Sequence, residues 1–298
     1  MSTTEKPLTD DGLPGLFHVA DAMSLRGQRD YLIALRARLA LAVLAAVCGV
    51  FAVKVGRIDV AAVGTGIALL VMLLVEQHFR GSSPETRWYD GRALAESAKS
   101  MGWRFAVGGS PFPLGEDERE VELRFIEQMG ALLKDGPSSG ITPPDRPTVS
   151  QAMRDLRTSD LATRKRTYVA DRITDQQRWY ASKSTTNAHW ARQSQRVLYA
   201  FAFAGIVAAF ARAFGMIGFD LAGVAAALIA AGAAWAGTKQ YSTLARAYAY
   251  ASTELGIVKD RLALVVDEAT WAAEVADAEE AISREHTMWR ASRTRATS

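Results

Sequence analysis

Four stretches of this chain carry almost no charge, and that scarcity restricts what the chain can fold into more than any other feature. Leu39–Val53, Val60–Val75, Val197–Ala211 and Leu221–Gly237 hold 15, 16, 15 and 17 residues. Between Leu39 and Val75 the only charged residues are Lys54, Arg57 and Asp59; between Val197 and Gly237 they are Arg212 and Asp220. A helix of sixteen residues spans roughly 24 Å, against about 30 Å of hydrocarbon core. Val55, Ile58 and the stretch Phe214–Phe219 extend the runs towards twenty residues. The run LAGVAAALIAAGAAWA has no polar face at helical spacing. A soluble helix that is apolar all round needs a large protein around it, and little of this chain is left to provide one. A soluble bundle with two buried Ala-rich hairpins is the competing reading. The runs are read as four transmembrane helices.

The links VKVGRID and ARAFGMIGFD are too short for anything but antiparallel hairpins, 39–75 and 197–237. Arginines and lysines crowd the open ends of both: Arg36 and Arg38 before the first, Arg192 and Arg196 before the second, Lys239 after it. The tips carry Lys54, Arg57 and Arg212. Basic residues stay on the cytoplasmic side, so the expected location is the inner (plasma) membrane, multi-pass, with both termini cytoplasmic. Gly64, Gly66, Gly223 and Gly232 lie within the spans, beside Thr65. Close approach through small residues replaces the hydrophobic drive in lipid. These five positions are candidates for hairpin packing or for lining a pore between subunits.

Outside the spans, residues 1–14 are polar and without period, and are expected to be disordered. A first unit covers 15–134, with a helix from Phe17 to Arg38 running into the first span. A second helix from Trp88 to Phe105 has Leu94, Ala98, Met101 and Phe105 on one face. A short amphipathic helix follows the acidic start Glu116–Glu120; it is expected to bury Val121, Phe125, Met129 and either Leu132 or Leu133. The Pro/Gly-rich stretch 135–149 reads as a linker, and a second unit covers 150–298. Beyond the fourth span no proline interrupts the chain, and one long helix is expected. Leu244, Tyr248, Ala251, Leu255, Val258, Leu262, Val265, Ala269 and Ala272 alternate steps of four and three, and Val275, Ile282 and Trp289 continue the pattern. Such a heptad seam packs either between subunits or on helices of the same chain. The fold class is an all-α membrane protein: two transmembrane hairpins with long cytoplasmic helices in a bundle or coiled coil.

Chemistry is harder to place. A net charge of +3 from 35 basic and 32 acidic residues gives no clustered basic face for nucleic acid. Cys48 is the only cysteine and lies in an apolar run; the histidines, His18, His78, His189 and His286, are far apart. Gly237-Thr238-Lys239 has the tail of a phosphate loop without its glycines. No catalytic, cofactor-binding or metal-binding residue is assigned, no cofactor is expected, and an enzyme is not expected.

Two sets of motifs carry a resemblance. FHVADAMSLRGQRDYLIALRARLAL (17–41), a hairpin, and ETRWYDGRALAESAKSMGWRFAVGGSPF (85–112) resemble one branch of the SLATT domains. YVADRITDQQRWYASKSTTNAHWARQSQRVLYAF (168–201), a hairpin, and EEAISREHTMWRA (279–291) resemble another. The resemblance implies two tandem two-transmembrane effector units of a bacterial, anti-phage conflict system: an oligomeric pore-former that disrupts the membrane. No nucleotide-sensing domain accompanies the two units, so a separate nucleotide-producing or nucleotide-sensing protein is the expected partner, beside the lipid bilayer and further copies of the chain. The rival reading is a non-conducting scaffold recruiting partners through its cytoplasmic helices. The tripeptide RWY, at Arg87–Tyr89 and Arg178–Tyr180, lies too far from the spans for an interfacial belt. Trp88, Tyr89, Trp103, Trp179, Tyr180 and Trp289 are expected instead to pack between helices as a collar under the hairpins.

Overall fold

The computed structural model describes residues 8–51, 53–80, 83–136 and 141–294, with side chains up to Ser283 at the C-terminal end. After a 3-10 turn at Asp10–Gly12 the elements are α1 (Gly15–Val50), a two-residue strand β1 (Lys54–Val55), β2 (Ile58–Asp59), α2 (Val60–Arg80), α3 (Pro84–Val107) and α4 (Glu118–Asp135). Then follow α5 (Gln151–Arg157), α6 (Leu161–Thr167), a π-helical segment Tyr168–Thr174, α7 (Asp175–Ala213), α8 (Leu221–Lys239), α9 (Tyr241–Leu264) and α10 (Glu268–Thr294). The all-helical class expected from the sequence is the class observed. The two strands form only the tip of the first hairpin, where Lys54 pairs with Asp59 and Val55 with Ile58. Gly56 turns that tip at φ +64, a conformation that costs glycine little.

Four helices are long and apolar enough to cross a membrane: Gly15–Val50, Val60–Val107, Leu161–Ala213 and Leu221–Leu264, where Val60–Val107, Leu161–Ala213 and Leu221–Leu264 each join consecutive elements. They coincide with the four apolar runs. Thirty-six residues of α1 would reach about 54 Å, well beyond the hydrocarbon core, so α1 is longer than a single span requires.

The chain divides into two compact units. The hairpin unit contains 28–84 and 185–245; the globular unit contains 1–27, 85–184 and 246–298. The division falls inside α1, α7 and α9, and it does not follow the order of the chain. The globular unit draws its core from residues 8–13, the start of α1, α3 to α6, the π segment, the start of α7, α9 and α10.

Three sequence expectations change here. Residues 8–14 are not disordered: Leu8 and Leu13 are buried, and Lys99 reaches Asp10 at 2.6 Å. Residues 1–7 lie outside the described residues. The stretch 141–149 is held rather than free, because Val149 is buried, the Gly15 N–H donates to Pro147 O at 3.0 Å and Arg146 donates to Asp11 O at 2.7 Å; residues 137–140 lie outside the described residues. The expected single helix after the fourth span is broken twice. Gln240 takes a left-handed conformation at φ 49 and closes α8. Then Val265–Asp267 separate α9 from α10, and the Asp267 carboxylate accepts from the Thr270 N–H at 2.9 Å. That is an N-cap, which satisfies a backbone donor left open at a helix start.

The heptad seam is therefore folded on itself. Ala251, Leu255, Val258, Leu262 and Val265 of the α9 seam are buried in the same core as Trp271, Val275, Ala278 and Ile282 of α10. Its partners lie within one chain, while Ala269, expected in the seam, is exposed. Elsewhere the periodicity holds. In α4, Val121, Phe125 and Met129 are buried; Leu132 packs on the core and Leu133 is exposed. The acidic start of α4 is capped by Asp117, which accepts from the Arg119 and Glu120 N–H groups at 2.8 and 3.2 Å.

Candidate functional site

Two features stand apart from ordinary packing: the four-helix hairpin unit and a buried ionic cluster in the globular unit. In the hairpin unit the glycines divide by what surrounds them. A Cβ built on Gly64 would meet Cys48 Sγ at 3.4 Å, one on Gly205 would meet Ala225 at 3.0 Å, and one on Gly232 would meet Leu198 at 2.7 Å. These glycines let α1 and α2, and α7 and α8, approach closely. Thr65 donates its hydroxyl to Ala61 O at 3.1 Å and lies 3.4 Å from Ala45 O, so it also belongs to the α1–α2 contact. Gly66 has open space around it. Gly223 serves neither purpose: it sits in the first turn of α8, and its N–H donates to the N-cap Asp220 at 3.2 Å. Of the five candidate positions, the structure thus brings Gly64, Thr65 and Gly232 into the helix contacts and leaves Gly66 and Gly223 outside them.

At the tips, Lys54 and Arg57 are exposed on the β-turn, while Arg212 pairs with Asp220 at 3.0 Å. The hairpins meet each other as well: Phe51 and Phe219 have ring centroids 6.0 Å apart. At the open end, Arg38 of α1 is paired with Glu76 of α2 at 2.5 Å, and Arg36 of α1 lies over the ring of Trp235 in α8. Little of the apolar surface is covered, however. Between 0% and 17% of the residues in the apolar window of each span are buried.

The globular unit contains charges that its core ought to reject. Arg157, Arg164, Arg172 and Glu279 are all at most 3% exposed. Arg157 and Arg164 close the end of α3, whose last carbonyls have no partner within the helix. Arg157 donates to Phe105 O at 3.0 Å and to Phe112 O at 2.8 Å, and to Glu118 at 2.7 Å. Arg164 donates to Val107 O at 2.8 Å and pairs with Glu268. Trp271 Nε1 donates to the same Val107 O at 2.7 Å.

Arg172 and Glu279 form a fully buried pair. Glu279 accepts from Arg172 Nε at 2.9 Å and Nη2 at 2.7 Å, from Tyr168 OH at 2.9 Å and from Ser100 Oγ at 2.8 Å. Fork geometry of this kind suits guanidinium and carboxylate. Burial opposes the charge on Arg172, but Glu279 overrides it and holds the guanidinium pKa above its usual value. Burial, with Glu279 beside it, pushes the Tyr168 hydroxyl well above its ordinary pKa. Arg172 Nη1 is buried with no hydrogen-bond partner. The π segment explains how the pair is presented. In an α-helix a residue five positions on lies about 140° round. The wider π turn brings both Arg172 and Ile173 to the inward side with Tyr168, and all three are buried.

The aromatic positions singled out in the sequence lie in this unit. Trp88 is buried against Tyr89, with centroids 4.9 Å apart, and its carbonyl accepts from Ser24 at 3.0 Å. Trp103 meets Tyr168 edge-on at 5.8 Å. Trp179 and Tyr180 both contact Tyr248, at 5.4 and 5.7 Å. The side chain of Trp289 lies outside the described residues. Arg157, Arg164, Arg172, Glu279 and Trp271 were not among the sequence candidates. The available signal was a row of arginines at steps of seven and eight, which puts them on one face of a helix. A solvated stripe has the same spacing.

Taken together, the elements define a four-span α-helical membrane protein with two hairpins and a separate charged-core helical unit. Family models give this class a finer place. Residues 14–165 match SMODS and SLOG-associating 2TM effector domain 3, and residues 168–289 match SMODS and SLOG-associating 2TM effector domain 1. The chain belongs to the SLATT family, with two tandem domains. No curated protein and no solved structure matches it. The two matched regions meet where α6 gives way to the π segment. Ser100 from the first and Glu279 from the second share the buried cluster, so the compact globular unit interleaves both domains.

Proposed function

We propose that this chain is a pore-forming membrane effector of a bacterial conflict system, assembled from several copies and gated through its globular unit by a separate nucleotide-sensing or nucleotide-producing protein. Family membership supports a two-transmembrane effector role. One structural observation carries the pore reading: the four spans bury little of their apolar surface against each other and show no polar stripe. One copy cannot enclose a water path, and the uncovered surface is free to meet lipid or other copies. Gly66, with open space around it, and the exposed tip charges Lys54 and Arg57 are the positions offered to a ring; charges at a constriction would bias ion choice. In this reading the globular unit faces the cytoplasm, as the basic open ends suggest.

A scaffold that does not conduct is the second reading. It is favoured by Tyr250, Ile257 and Leu264, which stand exposed at 65%, 61% and 81% along α9. The test is leakage from dye-loaded liposomes containing the full-length protein, with and without a panel of cyclic and linear nucleotides. Nucleotide-dependent leakage, or leakage with the sensor protein added, is the expected result. Bilayer-inserted oligomer that never releases dye under these conditions overturns the pore in favour of the scaffold.

A further inference from the structure

We propose that the groove between α9 and α10 of the globular unit is a docking site for a basic amphipathic helix of another protein. α9 carries two stripes. The first, Ala251, Leu255, Val258, Leu262 and Val265, is buried in the core. The second runs one residue behind it: Tyr250, Glu254, Ile257, Arg261 and Leu264 also alternate steps of four and three. Its apolar members, Tyr250, Ile257 and Leu264, are the three exposed residues already noted, and they extend along about 21 Å of helix. Single exposed apolar residues need no explanation. Three at intervals of seven on one face repeat the pattern that a second helix covers.

Tyr250 and Ile257 line a groove of about 470 Å³, and α10 lines it with Asp277, Glu280 and Ala281. Glu254 and Arg261 lie in the same lining. Arg261 is engaged from α10: it donates to Glu274 at 2.5 Å and to Asp277 at 3.3 Å. Against this one guanidinium the lining sets the carboxylates of Glu254, Asp277 and Glu280, so the groove is acidic. That balance selects the occupant. A second copy offering the same groove would set acid against acid, which disfavours pairing. An anionic bilayer surface is disfavoured for the same reason. A helix with apolar residues at steps of three and four, flanked by lysine or arginine, matches both the stripe and the carboxylates. Such docking holds for a pore and for a scaffold alike, so its failure and the failure of the pore are read from different experiments.

The test is fluorescence anisotropy with labelled helical peptides of about three heptads. Both peptides carry leucine at steps of three and four; one has lysine on its flanks and the other glutamate. Each is titrated with the full-length protein in phosphatidylcholine nanodiscs, with empty discs as background. The lysine peptide should bind saturably and on the order of tenfold more tightly than the glutamate peptide. Ile257→Asp and Glu280→Lys should each weaken it about tenfold. Both side chains are exposed, so both variants should keep the melting temperature of the wild type. Leu123→Asp alters another exposed apolar residue of the same unit and should leave binding unchanged. Equal binding of the two peptides, no binding above empty discs, or an equal loss in Leu123→Asp overturns the site. Self-association of the protein that Ile257→Asp abolishes would seat a second copy in the groove and overturn the partner helix.

Discussion

Replacing Glu279 by alanine should destabilise the globular unit more than any other single loss of charge in it. The carboxylate is 0% exposed and its partner Arg172 2% exposed, so neither group has water to fall back on. Alanine at 279 would leave the hydroxyls of Tyr168 and Ser100 without their acceptor and strand a guanidinium whose Nη1 is already unpartnered. Breaking a buried pair by removing one member costs about 3–5 kcal/mol. For a unit of this size each kcal/mol shifts the melting temperature by roughly 2–4 °C, so a fall of about 10 °C is expected. Tryptophan fluorescence during heating in detergent reports on this unit directly, because Trp103 and Trp271 both contact Tyr168. The companion variant is Arg172→Leu with Glu279→Leu. An apolar pair in place of a buried ion pair is often neutral or stabilising, so the double variant should melt above Glu279→Ala. A fall of less than about 2 °C in Glu279→Ala, or a double variant that is worse than the single one, would refute the claim that an uncompensated buried charge sets the cost.

Other consequences are more local. Gly232→Ile should loosen the second hairpin by about 1–3 kcal/mol through overpacking on Leu198, seen as a lower melting temperature; Gly66→Ile should leave monomer stability unchanged, and any change in its oligomeric state would place Gly66 at a subunit contact. Asp220→Ala removes both the α8 N-cap bond to Gly223 and the partner of Arg212, for a loss of about 0.5–2 kcal/mol, readable by the same thermal scan. Burial and the neighbouring Glu279 raise the Tyr168 pKa in the folded state, so its contribution is fully present below the unfolded value of 10.0 and is lost as the pH rises beyond it. Tyr168→Phe should therefore flatten part of the alkaline fall in melting temperature between about pH 9 and 11; identical pH profiles for the two proteins would count against this.

The legible parts of the chain were those whose signal is local. Four charge-poor runs appear as four spans because the requirement is a length of apolar sequence and nothing more. In α4, the buried face of Val121, Phe125 and Met129 follows from spacing, and its start follows from an acidic cluster with Asp117 at the cap. Even the heptad residues of α9 were identified, since a stripe at steps of four and three must be covered by something. The break at Val265–Asp267 was missed because it uses neither proline nor glycine, only an aspartate whose side chain caps the next helix. The expectation of disorder fails at residues 8–14 for a related reason: Leu8 and Leu13 have no period, and their burial depends on surfaces supplied by distant parts of the chain.

By itself, then, the sequence determined the class of protein, the position of both hairpins and the tandem family motifs, all properties of contiguous residues. Tertiary structure alone decided that the heptad stripe closes on α10 of the same chain, that residues before α1 and after the prolines join one core, and that Arg172 meets Glu279 107 residues away. An arginine on one helical face looks the same in a sequence whether it meets water or a buried carboxylate. Which of the two it meets depends on the fold, because only the fold removes the water.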